Sequence, residues 1–307
     1  MPDFDAIITG GGPAGLTAGL YLARAKRRTL LIEKEGVGGN VKNIEMVENY
    51  PGFSSGVSGA HLAAEMFDQA VKQGLQTETG EVSGIELYSS SKWVSCSNGK
   101  GNTSRVVIVA TGSRYKKLGV PGEDNFSGRG IINCALCDGG HFYGKIVAVC
   151  GGGDTGITEA LYMSKIASKV ILLEVKPALT GTAVLQERVA ANSQIEVKCS
   201  TKLESISGHE RVEAIEISNI QNGMRETCKV DGILVAVGLD PNTDFLRDIL
   251  PLDEKLQVTI NEKMETEIPG IFAVGDVRHN SLKQITSAVG DGAMAAIYAE
   301  KFLQEHG

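Results

Sequence analysis

Cys134 and Cys137 are separated by two residues in Cys134-Ala-Leu-Cys137, and Asp138 follows directly. Sulfurs at this spacing serve as half of a zinc site, as a fixed staple, or as a disulfide that opens and closes. Structural zinc takes four ligands. Here there is one close cysteine pair and five scattered histidines, and nearby His141 would add only a third ligand. A staple across two residues constrains the unfolded chain very little. A cycling disulfide suits the spacing, because one thiolate attacks a partner disulfide and its neighbour resolves the mixed intermediate. The spacing puts both sulfurs on one turn, near an expected helix start whose dipole would stabilise a thiolate. Two readings of Asp138 stand together, as a proton shuttle for a thiol and as a helix cap. Cys96, Cys150, Cys199 and Cys228 carry no assigned chemistry.

Two further segments have the residues to position such a pair beside nucleotides. A short apolar strand, 4–8, leads into Gly10-x-Gly12-x-x-Gly15 and a helix-period pattern, and the next apolar segment ends at Glu33, 23 residues after Gly10. A glycine motif after a strand, before a helix and with an acid about 20 residues on is the dinucleotide fingerprint. The first glycine allows the turn, the second admits a pyrophosphate, and the third lets helix and strand pack closely. The helix start then faces the phosphates, and Glu33 is placed to accept from a ribose hydroxyl. The pattern recurs at Gly151, Gly153 and Gly156, with Asp154 and Thr155 inside the loop and Glu174 again 23 residues on. For each loop the plainer alternative is a tight turn with no ligand. Two buried-strand runs, 105–113 and 232–242, also end on glycine, and a late strand ends at Gly275-Asp276 before a final helix. Asp276 there suits a hydroxyl or phosphate site, or caps a turn.

Composition bounds the rest. A chain of 307 residues suggests about two domains. A net charge of -7 argues against nucleic acid as a main partner. No apolar run approaches the ~18 residues of a membrane span, and the N-terminus has no signal-peptide pattern. Sparse cysteines and one CxxC point to the cytoplasm. The 38 glycines fit tight turns and backbone pressed against ligands.

The motifs GGGPAG, ENYPG, ATG, GRGI-x-x-CALCDG, GGGDTG and GIFAVGD…KQITSA occur together, in an order that resembles the low-molecular-weight thioredoxin reductases over essentially the whole chain. The second half is also similar to the flavoprotein subunit of alkyl hydroperoxide reductase. The resemblance implies an α/β fold of two Rossmann-like doubly wound nucleotide-binding domains, one inserted in the other. Residues 1–115 and 246–307 would bind FAD, and 116–245 would form the inserted nucleotide domain carrying the CxxC pair. It places Gly12, Pro13, Ala14, Gly39, Asn40 and Asn49 against FAD. To these it adds Ala110, Thr111, Gly112, Gly275 and Asp276, then Lys283, Gln284 and Ile285. Asn40 stands where the family usually has Gln, and Lys283 where it has Arg.

By the same resemblance, electrons pass from reduced flavin to the disulfide, with Cys137 on the flavin side and Cys134 attacking a thioredoxin-like partner. The inserted domain is expected to rotate between the two tasks. Arg129 is expected to help dock the partner, and a homodimer is expected. NADPH-using relatives carry an arginine cluster after the second acid-bearing strand; this chain reads Glu174-Val-Lys-Pro-Ala-Leu. A carboxylate repels a 2′-phosphate but accepts from a bare ribose hydroxyl. NADH is therefore the simplest donor. A ferredoxin-type donor remains an alternative, as does a ferredoxin or quinone NAD(P) oxidoreductase working without the disulfide.

Overall fold

The computed structural model describes residues 2–306. The described residues form two compact units: residues 2–114 with 240–306, and residues 115–239.

The first unit opens with β1 (Phe4–Thr9), α1 (Pro13–Arg24) and β2 (Thr29–Glu33). Helix α2 (Gly59–Lys72), β3 (Gln76–Thr79), β4 (Val82–Leu87), β5 (Lys92–Cys96) and β6 (Gly101–Val109) follow. Strand β7 (Ser113–Tyr115) leads out of the unit. In the sheet β3-β2-β1-β6, all pairings are parallel, while β5 and β4 add an antiparallel edge. Ala6, Ile7 and Ile8 are fully buried. That is why β1 reads as a continuous apolar run instead of an alternating one: both faces of a parallel sheet are covered.

The second unit contains α3 (Glu123–Phe126), β8 (Ile131–Ile132), α4 (Ala135–Asp138), β9 (Ile146–Cys150) and α5 (Asp154–Met163). Then come β10 (Lys169–Leu173), α6 (Ala183–Ala190), β11 (Ile195–Lys198), β12 (Thr201–Gly208), β13 (Val212–Asn219), β14 (Arg225–Lys229) and β15 (Gly232–Val235). Its parallel sheet runs β11-β10-β9-β15-β8, and β12-β13-β14 form a separate antiparallel sheet.

The chain returns through β16 (Leu239–Pro241), which pairs with β7. Strand β17 (Ile271–Ala273) then lies parallel to the C-terminal half of β6, and α7 (Ile285–Glu305) closes the first unit against α1. Both units are thus mixed α/β with a central parallel sheet whose strand order reverses beside a glycine loop. Such reversals leave a crevice at the carboxyl ends of the strands. No helix among the described residues is long and apolar enough to cross a membrane.

Candidate active site

The two glycine loops are built alike. Gly10 has φ +108° and Gly151 φ +118°, a conformation open chiefly to glycine. A Cβ on Gly10 would lie 2.3 Å from the Ala110 carbonyl oxygen, and one on Gly151 would lie 2.2 Å from that of Ala236. A Cβ on Gly15 or Gly156 would strike the carbonyl of Gly10 or Gly151 at 2.0 and 1.8 Å. The first and third glycines are therefore required by packing of the loop on its own strands. Gly12, by contrast, faces no protein atom within 4 Å of a would-be Cβ. The start of α1 has Pro13 at its first position, no side-chain cap and no acid in its first turn. Unpaired amides and a positive dipole end remain for an anion. In α5 the first turn carries Asp154, whose Oδ1 accepts from the Thr182 amide at 2.6 Å. Thr155, the next residue, is exposed in the same turn.

The two acids are also wired alike. Glu33 Oε2 accepts from the Gly11 amide at 2.7 Å, and Oε1 from the Glu35 amide at 3.0 Å. Glu174 Oε2 accepts from the Gly152 amide at 2.7 Å, and Oε1 from the Lys176 amide at 2.8 Å. Each carboxylate thus braces the middle glycine of its loop, a duty the sequence alone did not reveal. A carboxylate oxygen has two lone pairs, so acceptor capacity for a sugar hydroxyl remains. Glu33 is half-buried, whereas Glu174 is buried.

Of the residues expected at the flavin, Ala110, Thr111, Gly39 and Gly275 lie against the first loop or the start of its helix. Gly39 approaches the Gly12 backbone, with 3.2 Å left to a would-be Cβ, and Gly275 approaches Ala14 at 3.1 Å. Asp276 accepts from the Ser113 hydroxyl at 3.1 Å and from the Ser281 hydroxyl at 3.3 Å. It sits in the turn after β17, nine residues before α7 begins, so it organises the turn without capping the helix. The Asn40 amide donates to the Ser113 carbonyl at 3.0 Å, and the Asn49 amide donates to Gln284 at 3.1 Å. Lys283 takes φ +54°, with its backbone amide on Ser281. Ile285 opens α7 and packs on the small cluster of Val41, Val47, Val57 and Leu62.

Three anchors of this cradle were not visible in the sequence. Asn242 donates its side-chain amide to the Thr111 carbonyl at 2.8 Å, accepts from the Thr111 hydroxyl at 2.9 Å, and donates its backbone amide to Gly112. Arg278 makes a two-pronged ion pair with buried Asp291 of α7, at 2.8 and 2.9 Å, and Asp291 also accepts from the Gly275 amide at 3.0 Å. Neither Asn242 nor the Arg278–Asp291 pair belongs to a motif of the sequence.

In the second unit, Cys134 and Cys137 form a disulfide, with Cα atoms 5.4 Å apart. Helix α4 is only one turn, and its cap is Cys134 itself, whose Sγ accepts from the Cys137 amide at 3.1 Å. Asp138 ends this turn, is half-buried and makes no side-chain cap bond. Dipole assistance from so short a helix is small, and the local amide takes its place. Cys134 is buried and Cys137 exposed. The other cysteines differ chemically: burial, with a smaller contribution from Glu123, pushes the Cys150 thiol up to about 12. Exposed Arg129 donates to the Asn125 carbonyl. His141 is exposed on the turn after Asp138.

With this geometry in place, comparison with known proteins is decisive. The Pyridine nucleotide-disulphide oxidoreductase family matches residues 4–292. The thioredoxin reductase of Bacillus subtilis is 37% identical over 305 residues, spanning 98% of this chain and 95% of the relative. The chain belongs to the thioredoxin reductase family. The crystal structure of the Lactococcus lactis thioredoxin reductase (FR conformation) superposes with a TM-score of 0.96 at 36% identity, covering 99% of this chain and all of that one. The crystal structure of the T. acidophilum thioredoxin reductase gives 0.94 at 31% identity, over 98% of this chain and 99% of that one. Membership makes this chain a flavin-dependent oxidoreductase. The glycine-floored, acid-free start of α1 beside the Asp276 turn fits the FAD that the family uses.

Proposed function

We propose that this chain reduces the disulfide of a thioredoxin-like protein, with FAD held by the first unit, Cys134–Cys137 as the relay and NADH as the electron donor. The observation that carries the relay is the disulfide itself, on a one-turn helix with one sulfur exposed and the other buried. Bound FAD supplies a two-electron carrier. Two electrons entering at exposed Cys137 together with one proton break the S–S bond, leaving Cys137 as the thiol and the negative charge on Cys134, whose Sγ already has the Cys137 amide as donor. Asp138 is one residue away to give or take the proton. Cys134 must become accessible to attack a partner disulfide, in line with the rotation expected of the inserted domain. Arg129, exposed before the pair, is the docking cation.

The NADH assignment follows from the second loop. Glu174 is buried against Gly152 at the end of β10, and the segment 174–181 supplies Lys176 but no arginine. A phosphate dianion there would face a carboxylate without a planar fork to grip it, whereas Gly151, Gly153 and Gly156 leave the loop fit for a pyrophosphate. Anaerobic mixing tests this. NADH should bleach the flavin absorbance faster than NADPH. If neither does so while dithionite or a reduced ferredoxin does, the nicotinamide assignment is wrong. Ferredoxin or quinone reduction that survives loss of both cysteines would instead support the reading without a disulfide step.

Cytoplasmic residence follows from the reducible pair in a cysteine-poor chain. A homodimer has a candidate face on α1 and α7, where Tyr21 and Ile297 are exposed on one shallow cleft. Light scattering at micromolar concentration should return twice the chain mass.

A further inference from the structure

Helix α5 starts at the second glycine loop and runs to the disulfide turn. Gly139, just after α4, packs on the Met163, Ile166 and Tyr162 side chains, the nearest of them 3.1 Å from a would-be Cβ. On the same helix, Glu159 Oε2 accepts from the Ala135 amide at 2.6 Å. Ala135 is the first residue of α4, next to Cys134, and the Cys137 amide goes to the Cys134 sulfur. The open end of the disulfide turn is thus divided between a carboxylate and a sulfur. Burial raises the Glu159 carboxyl above its ordinary value, and the Ala135 amide opposes that rise. From β7, Tyr115 faces it, held up by burial and then by the Glu159 charge. Among the described residues no cation acts on Glu159. An uncompensated carboxyl therefore bonds the residue next to a reacting sulfur, on a part of the chain that neither the glycine motif nor the CxxC motif singles out.

We propose that Glu159 is a positioning residue that sets the acidity of the reduced Cys134–Cys137 pair: its carboxylate holds the Ala135 amide, and its charge opposes thiolate formation beside it. This rests on the disulfide-relay reading above. A nearby like charge disfavours a second anion, and an amide taken by the carboxylate is one the thiolate lacks. The reduced pair keeps its protons to higher pH than its turn geometry alone would allow. It therefore reacts less with adventitious oxidants.

The test uses the FAD-loaded protein, reduced with dithiothreitol and desalted without oxygen. Alkylation of Cys137 by iodoacetamide is followed against pH by peptide mass spectrometry in the parent, Glu159→Gln and Glu159→Ala. Gln keeps an acceptor for the Ala135 amide but removes the charge, and Ala removes both. The alkylation midpoint should fall by about one pH unit in each variant, which makes alkylation about tenfold faster at a pH below both midpoints. A midpoint unmoved or raised in Glu159→Gln, even with Glu159→Ala altered, would reduce Glu159 to a backbone cap and overturn the proposal. Should Glu159→Gln fail to fold, Glu159→Ala is read alone: a lowered midpoint supports the proposal, and a midpoint unmoved or raised overturns it. No partner protein or nucleotide enters the assay. A failed thioredoxin assignment would therefore appear separately, as absent turnover with the alkylation shift intact.

Discussion

At the residue scale, identical side chains differ in chemistry because their surroundings differ. Cys137 is exposed beside a partner sulfur, whereas burial takes the Cys150 thiol up to about 12. In the reduced protein at pH 8, iodoacetamide should label Cys137 and leave Cys150 untouched over hours, as read by peptide mass spectrometry. Lys92 gives a second prediction. It is buried, its ammonium donates to the Arg105 carbonyl at 2.7 Å, and burial lowers it to about 8. A base lowered on folding leaves the unfolded chain holding more protons between about 8 and its ordinary value. Stability should therefore rise with pH across that window. The gain is about 3 kcal/mol, since each tenfold change in proton affinity is worth about 1.4 kcal/mol. Because the buried Cys150 thiol works the opposite way above its ordinary value, the rise is read as a difference: between pH 7.5 and 10 the urea midpoint of the parent should gain on that of Lys92→Met. Gly10 gives a third. Gly10→Ala places a methyl 2.3 Å from the Ala110 carbonyl at φ +108°. A strained φ together with a backbone clash should cost ~3 kcal/mol or more, seen as loss of bound FAD and a lower melting temperature.

At the element scale, what was legible in the sequence is what the backbone itself demands. Gly10, Gly15, Gly151 and Gly156 could be read as loop glycines because no other residue fits their turns or contacts. The strands before them could be read because both faces are buried. Glu33 and Glu174 were found by spacing, but their bonds to Gly11 and Gly152 were not, since a ribose partner and a backbone partner ask for the same residue type. Asn242, Glu159 and the Arg278–Asp291 pair were illegible for another reason: their partners lie 131, 24 and 13 residues away and meet only through tertiary packing. The pair between the β17 turn and α7 yields a prediction of its own. Arg278→Ala would leave Asp291 charged and buried without its partner, a change worth about 3–5 kcal/mol. The Gly275-Asp276 turn should loosen with it. FAD should dissociate measurably faster on dilution, and Asp291→Asn should be milder because it removes the unpaired charge.

At the scale of the whole molecule, one Rossmann-like plan occurs twice, and the two copies differ in what surrounds the glycine loop. In the first copy the loop starts an acid-free helix beside a fixed aspartate turn. In the second it starts the helix whose far end packs on the cysteine turn. The chain crosses between the units at β7 and β16, and buried Glu123 stiffens the segment after β7 by accepting from the Leu118 and Gly119 amides at 2.8 and 2.7 Å. The most direct test of the relay is the reoxidation of the anaerobically reduced holoprotein by an oxidised thioredoxin, monitored by the return of flavin absorbance. Rapid return is expected in the parent and none above background in Cys134→Ser or Cys137→Ser, each with FAD still bound. Undiminished return in both variants would contradict the relay.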